Sequence, residues 1–241
     1  MTKSDVVDRL LAAARAMVEQ LNRMKFAVPV EFVYNPLEYV WDGYEQYVTR
    51  YASTSIQSLF VGMNPGPWGM AQTGVPFGEV NVVRDWLKIT PEFTQPKHAH
   101  PLRVIEGVGC RRSEVSGARL WGLFKQHYST PSNCFEKIFV ANYCPLAFME
   151  TSARNRTPDK LTASEREQLY RICDQHLATT YQVLQPQWVI GVGQFAEQRS
   201  QAALGEAVPI VRILHPSPAS PASNRDWAGS VTKQLESAGV W

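Results

Sequence analysis

The sequence predicts a three-layer α/β/α fold, in which helices cover both faces of a central four-stranded parallel sheet. The first observation is a set of four apolar runs typical of buried strands: Ser58–Val61, Lys137–Ala141, Trp188–Val192 and Val208–Leu214. The second is that segments with helical spacing separate these runs, and strands that alternate with helices form parallel sheets. The chain has 241 residues with no linker and no repeat, so we expect one domain over residues 1–241.

The helices are predicted from apolar spacing and from capping residues. Ser4–Asn22 carries its apolar residues on one side, which predicts an amphipathic helix packed on the domain. The clearest boundaries belong to a helix that begins at Thr162, because Thr162 and Glu165 fit a capping box and Pro186 stops the helix. That helix is predicted over Thr162–Leu184, and the remaining helices are predicted over Asp42–Ala52, Val80–Ile89, Ser116–Tyr128, Gln194–Leu204 and Arg225–Ala238.

Composition argues against several classes of protein. The net charge of +2 gives only weak support for a nucleic-acid partner. No apolar run approaches the ~18 residues that span a bilayer, and charged residues interrupt the N-terminal segment, so we expect neither a membrane protein nor a secreted one. The four cysteines lack the spacing of a zinc site. Reduced, buried thiols in an intracellular protein without a metal are therefore expected.

Three of the predicted strands end close to a polar side chain. Asn64 follows the first strand, Asn142 follows the second, and His215 follows the last. Because the carboxyl ends of parallel strands share one edge of a sheet, these side chains can converge on one cleft. The loop after the first strand is rich in Gly and Pro and carries Trp68 and Phe77. Such a loop suits a pocket for a flat heterocycle.

A second pattern resembles a dinucleotide-binding fingerprint. The segment from Gly191 to Ala196 fits G-x-G-x-x-A between a strand and a helix. That fingerprint requires an acidic residue at the end of the next strand, where this chain has Leu214 and His215. The glycines are therefore interpreted as a tight strand-to-helix turn. A serine hydrolase is also disfavoured, because Ser217 lies two residues from His215 without a nucleophile elbow.

Five motifs in one order carry a family resemblance. They are Gly62-Met-Asn-Pro-Gly-Pro, Gly74-Val-Pro-Phe-Gly-Glu-Val, Ser113-Glu-Val-Ser-Gly-Ala-Arg, Asn142-Tyr-Cys-Pro-Leu and His215-Pro-Ser-Pro. From about Pro29 to Trp227 the chain resembles the single-strand-selective monofunctional uracil-DNA glycosylases. The resemblance implies an enzyme of base excision repair that hydrolyses the N-glycosidic bond of uracil in single- and double-stranded DNA. It also implies the same three-layer fold and an activity that needs no cofactor or metal.

The residue chemistry agrees with two catalytic roles. His215 can donate a hydrogen bond to uracil O2 as negative charge develops on the departing base. Asn64 can hold and orient the water that attacks the oxocarbenium-like sugar, which does not need a strong nucleophile. No lysine lies close in sequence to the three motifs that carry these polar residues, so no Schiff base and no lyase activity are expected.

The remaining pocket residues are expected to bind the base. Asn142 can pair with uracil O4 and N3–H, since an amide has both a donor and an acceptor. Phe77 is expected to stack on the extruded base. In the family, Met63 and Gly66 shape the wall near position 5 of the base. The glycine leaves room there for a substituent, which implies that 5-hydroxymethyluracil is a second substrate.

The loop after His215 is expected to enter the DNA. The candidate DNA-binding residues are Ser217, Ala219, Ser220, Ser223, Asn224 and Arg225. Eukaryotic relatives tend to carry an arginine where this chain has Ala219, so the loop is expected to fill the gap in a duplex less well. Two roles are open for Arg154, Arg156 and Arg225: contact with DNA phosphates, or ordinary solvated charge on the surface.

Other functions remain open at this level. One is a glycosylase that prefers another deaminated base, such as xanthine or hypoxanthine. Another is a non-catalytic binder of single-stranded or damaged DNA, although such a binder needs neither Asn64 nor His215. The expected partner is DNA that contains uracil or other damaged bases, and the expected state is a monomer. The expected location is the nucleoid of a bacterium or the nucleus of a eukaryote.

Overall fold

A computed structural model describes all residues from 1 to 241, and its centre is a four-stranded parallel sheet. The strands are β1 Phe32–Tyr34, β2 Ser58–Gly62, β3 Ile138–Asn142, β4 Ala147–Met149, β5 Asn155–Arg156, β6 Trp188–Val192 and β7 Ile210–Ile213. The central sheet has the order β3-β2-β6-β7, and every neighbouring pair in it is parallel. The predicted four-stranded parallel sheet is therefore confirmed, with a shorter last strand than expected.

Helices surround this sheet. They are α1 Lys3–Leu21, α2 Pro36–Tyr39, α3 Trp41–Tyr51, α4 Met70–Thr73, α5 Val115–Tyr128, α6 Pro131–Phe135, α7 Ala163–Leu184, α8 Gln194–Leu204 and α9 Ser223–Ser237. Helix α1 packs on α7, α7 packs on α8, and α8 packs on β6. The capping box expected at the start of α7 is present, because the Thr162 hydroxyl and the Glu165 carboxylate exchange hydrogen bonds with each other's backbone N–H groups.

The predicted helix over Val80–Ile89 is wrong in its length and type. The chain is helical from Val80 as expected, but only as far as Trp86, and Val82–Trp86 form a π-helical turn in which Leu87 N–H donates to the carbonyl of Val82. Lys88 then adopts a φ of +55°, which ends the helical path. The helical spacing of the apolar residues reflects real burial, but it does not distinguish a single wide turn from a longer helix.

A small antiparallel sheet was not predicted. Strands β1, β4 and β5 pair in that order, with Phe32 opposite Met149 and Phe148 opposite Arg156. Segments of two or three residues are too short to show a strand period in the sequence. This sheet and the residues around it enclose a second cluster of seven buried residues beside the main core.

The main core is one cluster of 49 buried apolar residues that runs from Val6 in α1 to Leu235 in α9. The N-terminal helix therefore shares the core of the central sheet, as expected of a helix packed on the domain. The four cysteines are buried and form no disulfide. None of the helices combines the length and the apolar character that a membrane crossing requires.

Acid is expected to destabilise the fold through His176. This side chain is half-buried in α7 beside Ala13 and Met17 of α1, and desolvation lowers its pKa from 6.5 to about 4. The unfolded chain therefore binds the proton more tightly. The contribution of His176 to the free energy of unfolding is fully present above pH 6.5. It falls by about 3 kcal/mol as the pH drops toward 4. We expect His176→Leu to flatten this loss in urea titrations at pH 7 and pH 4.5. An equal loss in both proteins would exclude His176 as its source.

Candidate active site

A cavity of about 470 Å³ opens at the carboxyl edge of the central sheet. Asn64 lies two residues after β2, Asn142 ends β3, and His215 lies two residues after β7. All three side chains line the cavity, so the sheet brings together the polar residues that the sequence placed at strand ends. Met63, Gly66, Phe77 and Ser217 line the same cavity.

The floor of the cavity depends on Gly62. A Cβ atom at this position would lie 2.3 Å from the Phe77 ring and 2.6 Å from Asn142 Oδ1. Phe77 has a φ of +53°, a conformation that costs an aromatic residue about 1–3 kcal/mol. Its carbonyl accepts hydrogen bonds from Glu79 N–H (2.7 Å) and from Trp121 Nε1 (3.1 Å), which hold it there. The ring of Phe77 is thus fixed beside the Asn142 amide.

The Asn64 amide is held in one orientation. Its Nδ2 donates to the carbonyl of Leu146 at 3.0 Å and lies 3.4 Å from the carbonyl of Pro65. Because both neighbours are acceptors, the NH₂ group must occupy this side of the amide. Oδ1 then has no partner within the protein and can accept a hydrogen bond from a water molecule in the cavity.

His215 is held in the tautomer that donates from Nε2. Its Nδ1 accepts a hydrogen bond from Ser217 N–H at 3.0 Å, so the proton of the neutral ring sits on Nε2. Burial lowers the pKa of His215, which favours this neutral form. A Cβ atom on Gly193 would approach the ring to 3.1 Å, so this glycine provides the space that the ring occupies. Gly193 also has a φ of +90° between β6 and α8, so it forms the tight turn that the sequence indicated.

Side chains of two helices, α5 and α9, hold the loop that carries His215. Arg119 of α5 donates to the carbonyl of Pro216 at 2.9 Å and to Asn224 Oδ1 at 3.1 Å. Trp227 Nε1 donates to the carbonyl of Leu214, and the Ser223 hydroxyl donates to the carbonyl of His215. The His215 side chain therefore lies on a loop that is held in place by α5 and α9.

This bracing changes the interpretation of two candidate DNA-binding residues. Ser223 is 2% exposed with its hydroxyl engaged, so it supports the loop from inside rather than meeting DNA. Both ends of the Asn224 amide are engaged as well, with Arg119 and with the carbonyl of Pro218. Ala219 and Arg225 are exposed, and Ser220 is half-buried, so these three remain available to a ligand.

The two arginines proposed for phosphate contact beside β5 differ in their surroundings. Arg156 pairs with the Glu150 carboxylate at 2.7 Å and donates to the carbonyl of Lys160. Its charge is therefore compensated within the protein. Arg154 is exposed, and its side chain forms no ion pair or hydrogen bond. Of the two, only Arg154 presents a free positive charge.

Three residues of the site were not identified from the sequence. Glu114 lines the cavity and caps α5 by accepting hydrogen bonds from Ser116 N–H and Gly117 N–H. Burial raises the pKa of Glu114, although these bonds oppose the rise. An acidic residue directly before a helix is a detectable cap, but the partners of Arg119 lie 97 and 105 residues away in sequence. Trp68 was noted only as part of the loop.

The cavity has the composition of a base pocket rather than of a metal centre. Its 19 lining residues include no lysine and no cysteine, and His215 is the only histidine among them. Nowhere in the chain do three or more His, Cys, Asp or Glu side chains lie close enough together to hold a metal ion. Neutral amides, small residues and aromatic rings dominate the lining.

Comparison with known proteins points to one family. The model of the uracil DNA glycosylase superfamily matches residues 49–235. The single-strand selective monofunctional uracil-DNA glycosylase of Rattus norvegicus is 48% identical over 224 residues, which cover 92% of this chain and 81% of that protein. The proteins of the same description from Mus musculus and Bos taurus are each 47% identical, with 92% of this chain covered and 80% and 83% of theirs.

The fold has a counterpart among solved structures. The crystal structure of wild-type SMUG2 from Pedobacter heparinus matches 98% of this chain and 97% of its own, with a TM-score of 0.68. The sequence identity in this match is 14%. At that identity the likeness concerns the arrangement of helices and strands, which agrees with the three-layer α/β/α fold expected from the sequence.

Proposed function

This chain belongs to the uracil-DNA glycosylase superfamily and, within it, to the single-strand-selective monofunctional uracil-DNA glycosylases, and we propose that its cavity binds an extruded uracil and hydrolyses the bond to the sugar. The protein is a monofunctional uracil-DNA glycosylase of base excision repair. One observation supports this assignment of roles most strongly. Asn64 and His215 line the same cavity, each with its functional atom free of protein partners.

His215 acts on the leaving base. As the N-glycosidic bond lengthens, negative charge accumulates on uracil, and the Nε2–H of the neutral ring donates to O2. A preorganised donor of this kind is worth roughly 10²–10³ in rate. A neutral ring suits this role because its lowered pKa leaves Nδ1 without a proton, so Nδ1 accepts from Ser217 N–H and the one ring proton stays on Nε2.

Asn64 acts on the sugar side. Its Oδ1 holds a water molecule while Nδ2 stays fixed to the carbonyl of Leu146. The water then attacks C1′ of the oxocarbenium-like sugar and gives up one proton to solvent. The departing uracil anion takes a proton from solvent, so the products are an abasic site and neutral uracil. No lysine lines the cavity, so no amine is placed to form a Schiff base and the DNA strand stays intact.

Asn142 and Phe77 select the base. Phe77 stacks on the ring of uracil, and Asn142 donates to O4 and accepts from N3–H. Cytosine presents an amino group and a bare nitrogen at the same edge, which would leave both partners unsatisfied. Gly66 has no atom within 4 Å of a Cβ built on it, so the wall beside it is open and admits 5-hydroxymethyluracil.

Asn142→Asp is expected to weaken uracil excision by about 10–100-fold, because an ionised carboxylate cannot donate to O4. The measurement is the single-turnover rate on uracil in a single strand, together with release of cytosine. Asn155→Asp is the matched control, since it adds the same charge to the cavity wall at a residue without an assigned base contact. Equal losses in both variants would attribute the effect to charge and remove the base-reading role from Asn142.

The decisive experiment is the release of free base from labelled oligonucleotides in the presence of EDTA. We expect uracil and 5-hydroxymethyluracil to be released from single strands and duplexes, with strand scission only after alkali. Scission without alkali, or an adduct trapped by borohydride, would contradict the monofunctional mechanism. Release of xanthine or hypoxanthine in preference to uracil would reassign the substrate, and binding without any release would indicate a non-catalytic binder.

The remaining parts of the proposal concern the setting of the enzyme. We propose that Ser217, Ala219, Ser220 and Arg225 face the DNA beside the extruded base, since they follow His215 and are at least partly exposed. We also propose that the protein acts as a monomer, in the nucleoid of a bacterium or the nucleus of a eukaryote. Gel filtration with and without DNA tests the monomer directly.

A further inference from the structure

One side of the cavity continues into a strip of exposed apolar and arginine side chains. We call it the 102–115 rim, and it consists of Leu102, Arg103, Val104, Arg112, Val115 and the adjoining Trp68. Only six large apolar residues of the protein are exposed, and three of them belong to this rim: Leu102 at 65%, Val104 at 49% and Val115 at 42%. Trp68 and Val115 also line the cavity, so the rim and the cavity form one continuous surface.

The rim carries positive charge that the protein does not neutralise. The guanidinium carbons of Arg103 and Arg112 lie 5.0 Å and 4.8 Å from the centre of the Trp68 ring, within range of cation–π attraction. Neither arginine takes part in any of the seven ion pairs of the protein. Arg103 is half-buried and donates to the carbonyls of Leu102 and Ala153, whereas Arg112 is exposed and its guanidinium has no hydrogen-bond partner. Residues 102–112 contain three arginines and one glutamate, a net charge of +2 in eleven positions.

The backbone of the rim is fixed although four of its six side chains are exposed. Gln72 donates to the carbonyl of Val104 at 3.2 Å and accepts from Glu106 N–H at 2.8 Å. Gln95 likewise donates to the carbonyl of Ile105 at 2.7 Å and accepts from Ile105 N–H at 3.2 Å. These two amides thus hold three consecutive residues, and the exposed side chains of Leu102 and Val104 contribute nothing to this attachment. Exposed apolar groups on a fixed frame mark a binding surface.

We propose that the 102–115 rim binds the unpaired nucleotides next to the uracil held in the cavity. This inference rests on the proposed function, which places the uracil in the cavity. The faces of unpaired bases pack on the exposed apolar side chains, and a phosphate meets Arg112 beside the Trp68 ring. Surfaces that bind single strands combine these two features, and they tolerate any sequence because every base has an aromatic face. In a duplex these faces are hidden by stacking, so the rim favours single strands.

Two variants separate the two contributions. Binding is measured by fluorescence anisotropy on a single strand that carries a tetrahydrofuran abasic analogue, which is not hydrolysed. We expect Arg112→Gln to raise Kd by about threefold to tenfold and to reduce the slope of log Kd against log salt by about 0.7, as for one lost phosphate contact. The double variant Leu102→Ser/Val104→Ser should raise Kd by a similar factor with an unchanged slope, and more on the single strand than on a duplex.

Arg171→Gln is the matched control, because Arg171 is an exposed arginine of α7 outside the cavity and without an ion pair. A salt slope for Arg112→Gln equal to that of Arg171→Gln overturns the phosphate contact. An unchanged Kd in the double variant overturns the stacking surface and assigns the rim to another partner, such as a protein. Because this binding assay involves no turnover, its outcome is independent of uracil release, and failure of either inference is seen separately.

Discussion

His215→Ala is expected to lower the single-turnover rate of uracil excision by about 10²–10³-fold while binding to uracil-containing DNA is retained. The Nε2–H of this ring is the only histidine donor in the cavity, and Ser217 N–H fixes it in the donating tautomer. Removal of the ring leaves the charge on uracil O2 without that donor. The loss should therefore appear in the rate constant at saturating enzyme and not in Kd.

The leaving group provides a sharper test of this role. 5-Fluorouracil forms a more stable anion than uracil, so it needs less help, and His215→Ala should lose less activity on it. His98→Ala is the control, since His98 is exposed and lies outside the cavity. Equal losses on both bases would show that His215 does not act on the leaving group.

The pH dependence of wild-type excision follows from the same geometry. Because burial lowers the pKa of His215, the neutral ring persists through neutral pH and into mild acid. The rate should be level across neutral pH and should decline only below the ordinary histidine range. A rate that rises as the pH falls through 6.5 would require the charged ring as donor and would contradict the tautomer assigned here.

The sequence predicted which side chains converge at the cavity, but it did not predict the hydrogen bonds that hold them there. Asn64, Asn142 and His215 converge because parallel strands end at one edge of the sheet, a rule that needs only strand positions. The bracing of the His215 loop by Arg119 could not be predicted, because its partners are about a hundred residues away and the bonds depend on tertiary packing. The motif that contains Arg119 was recognised only by resemblance.

The short strands, the π-helical turn and the burial of Ser223 all depend on tertiary contacts, which the sequence of a single segment does not show. Strands β1, β4 and β5 are stabilised by one another and by the cluster around Tyr34, so no single segment shows a pattern of its own. The π-helical turn at Val82–Trp86 is likewise set by the Glu79 carboxylate, which accepts from Val82 N–H. Ser223 looks like a surface loop residue in the sequence, whereas the fold buries it against the carbonyl of His215.

Asn64→Ala is expected to lower the excision rate by at least about 10²-fold, because the attacking water loses the acceptor that places it. Without a placed water, the oxocarbenium-like sugar and the uracil anion recombine before hydrolysis occurs. The cavity and its base contacts should stay intact, since the Asn64 side chain bonds only to the carbonyls of Pro65 and Leu146. The measurement is again the single-turnover rate, on a single strand that contains one uracil.

Two comparisons distinguish this role from that of His215. Asn64→Asp can still accept a hydrogen bond from water but cannot donate to the carbonyl of Leu146, so its rate should lie between those of Asn64→Ala and the wild type. A better leaving group does not replace a missing water, so 5-fluorouracil should restore less activity to Asn64→Ala than to His215→Ala. If Asn64→Ala retains a rate near that of the wild type, the water is placed by another group in the cavity. The alternative would then be the Thr157 hydroxyl, which lines the same cavity and can be substituted in turn.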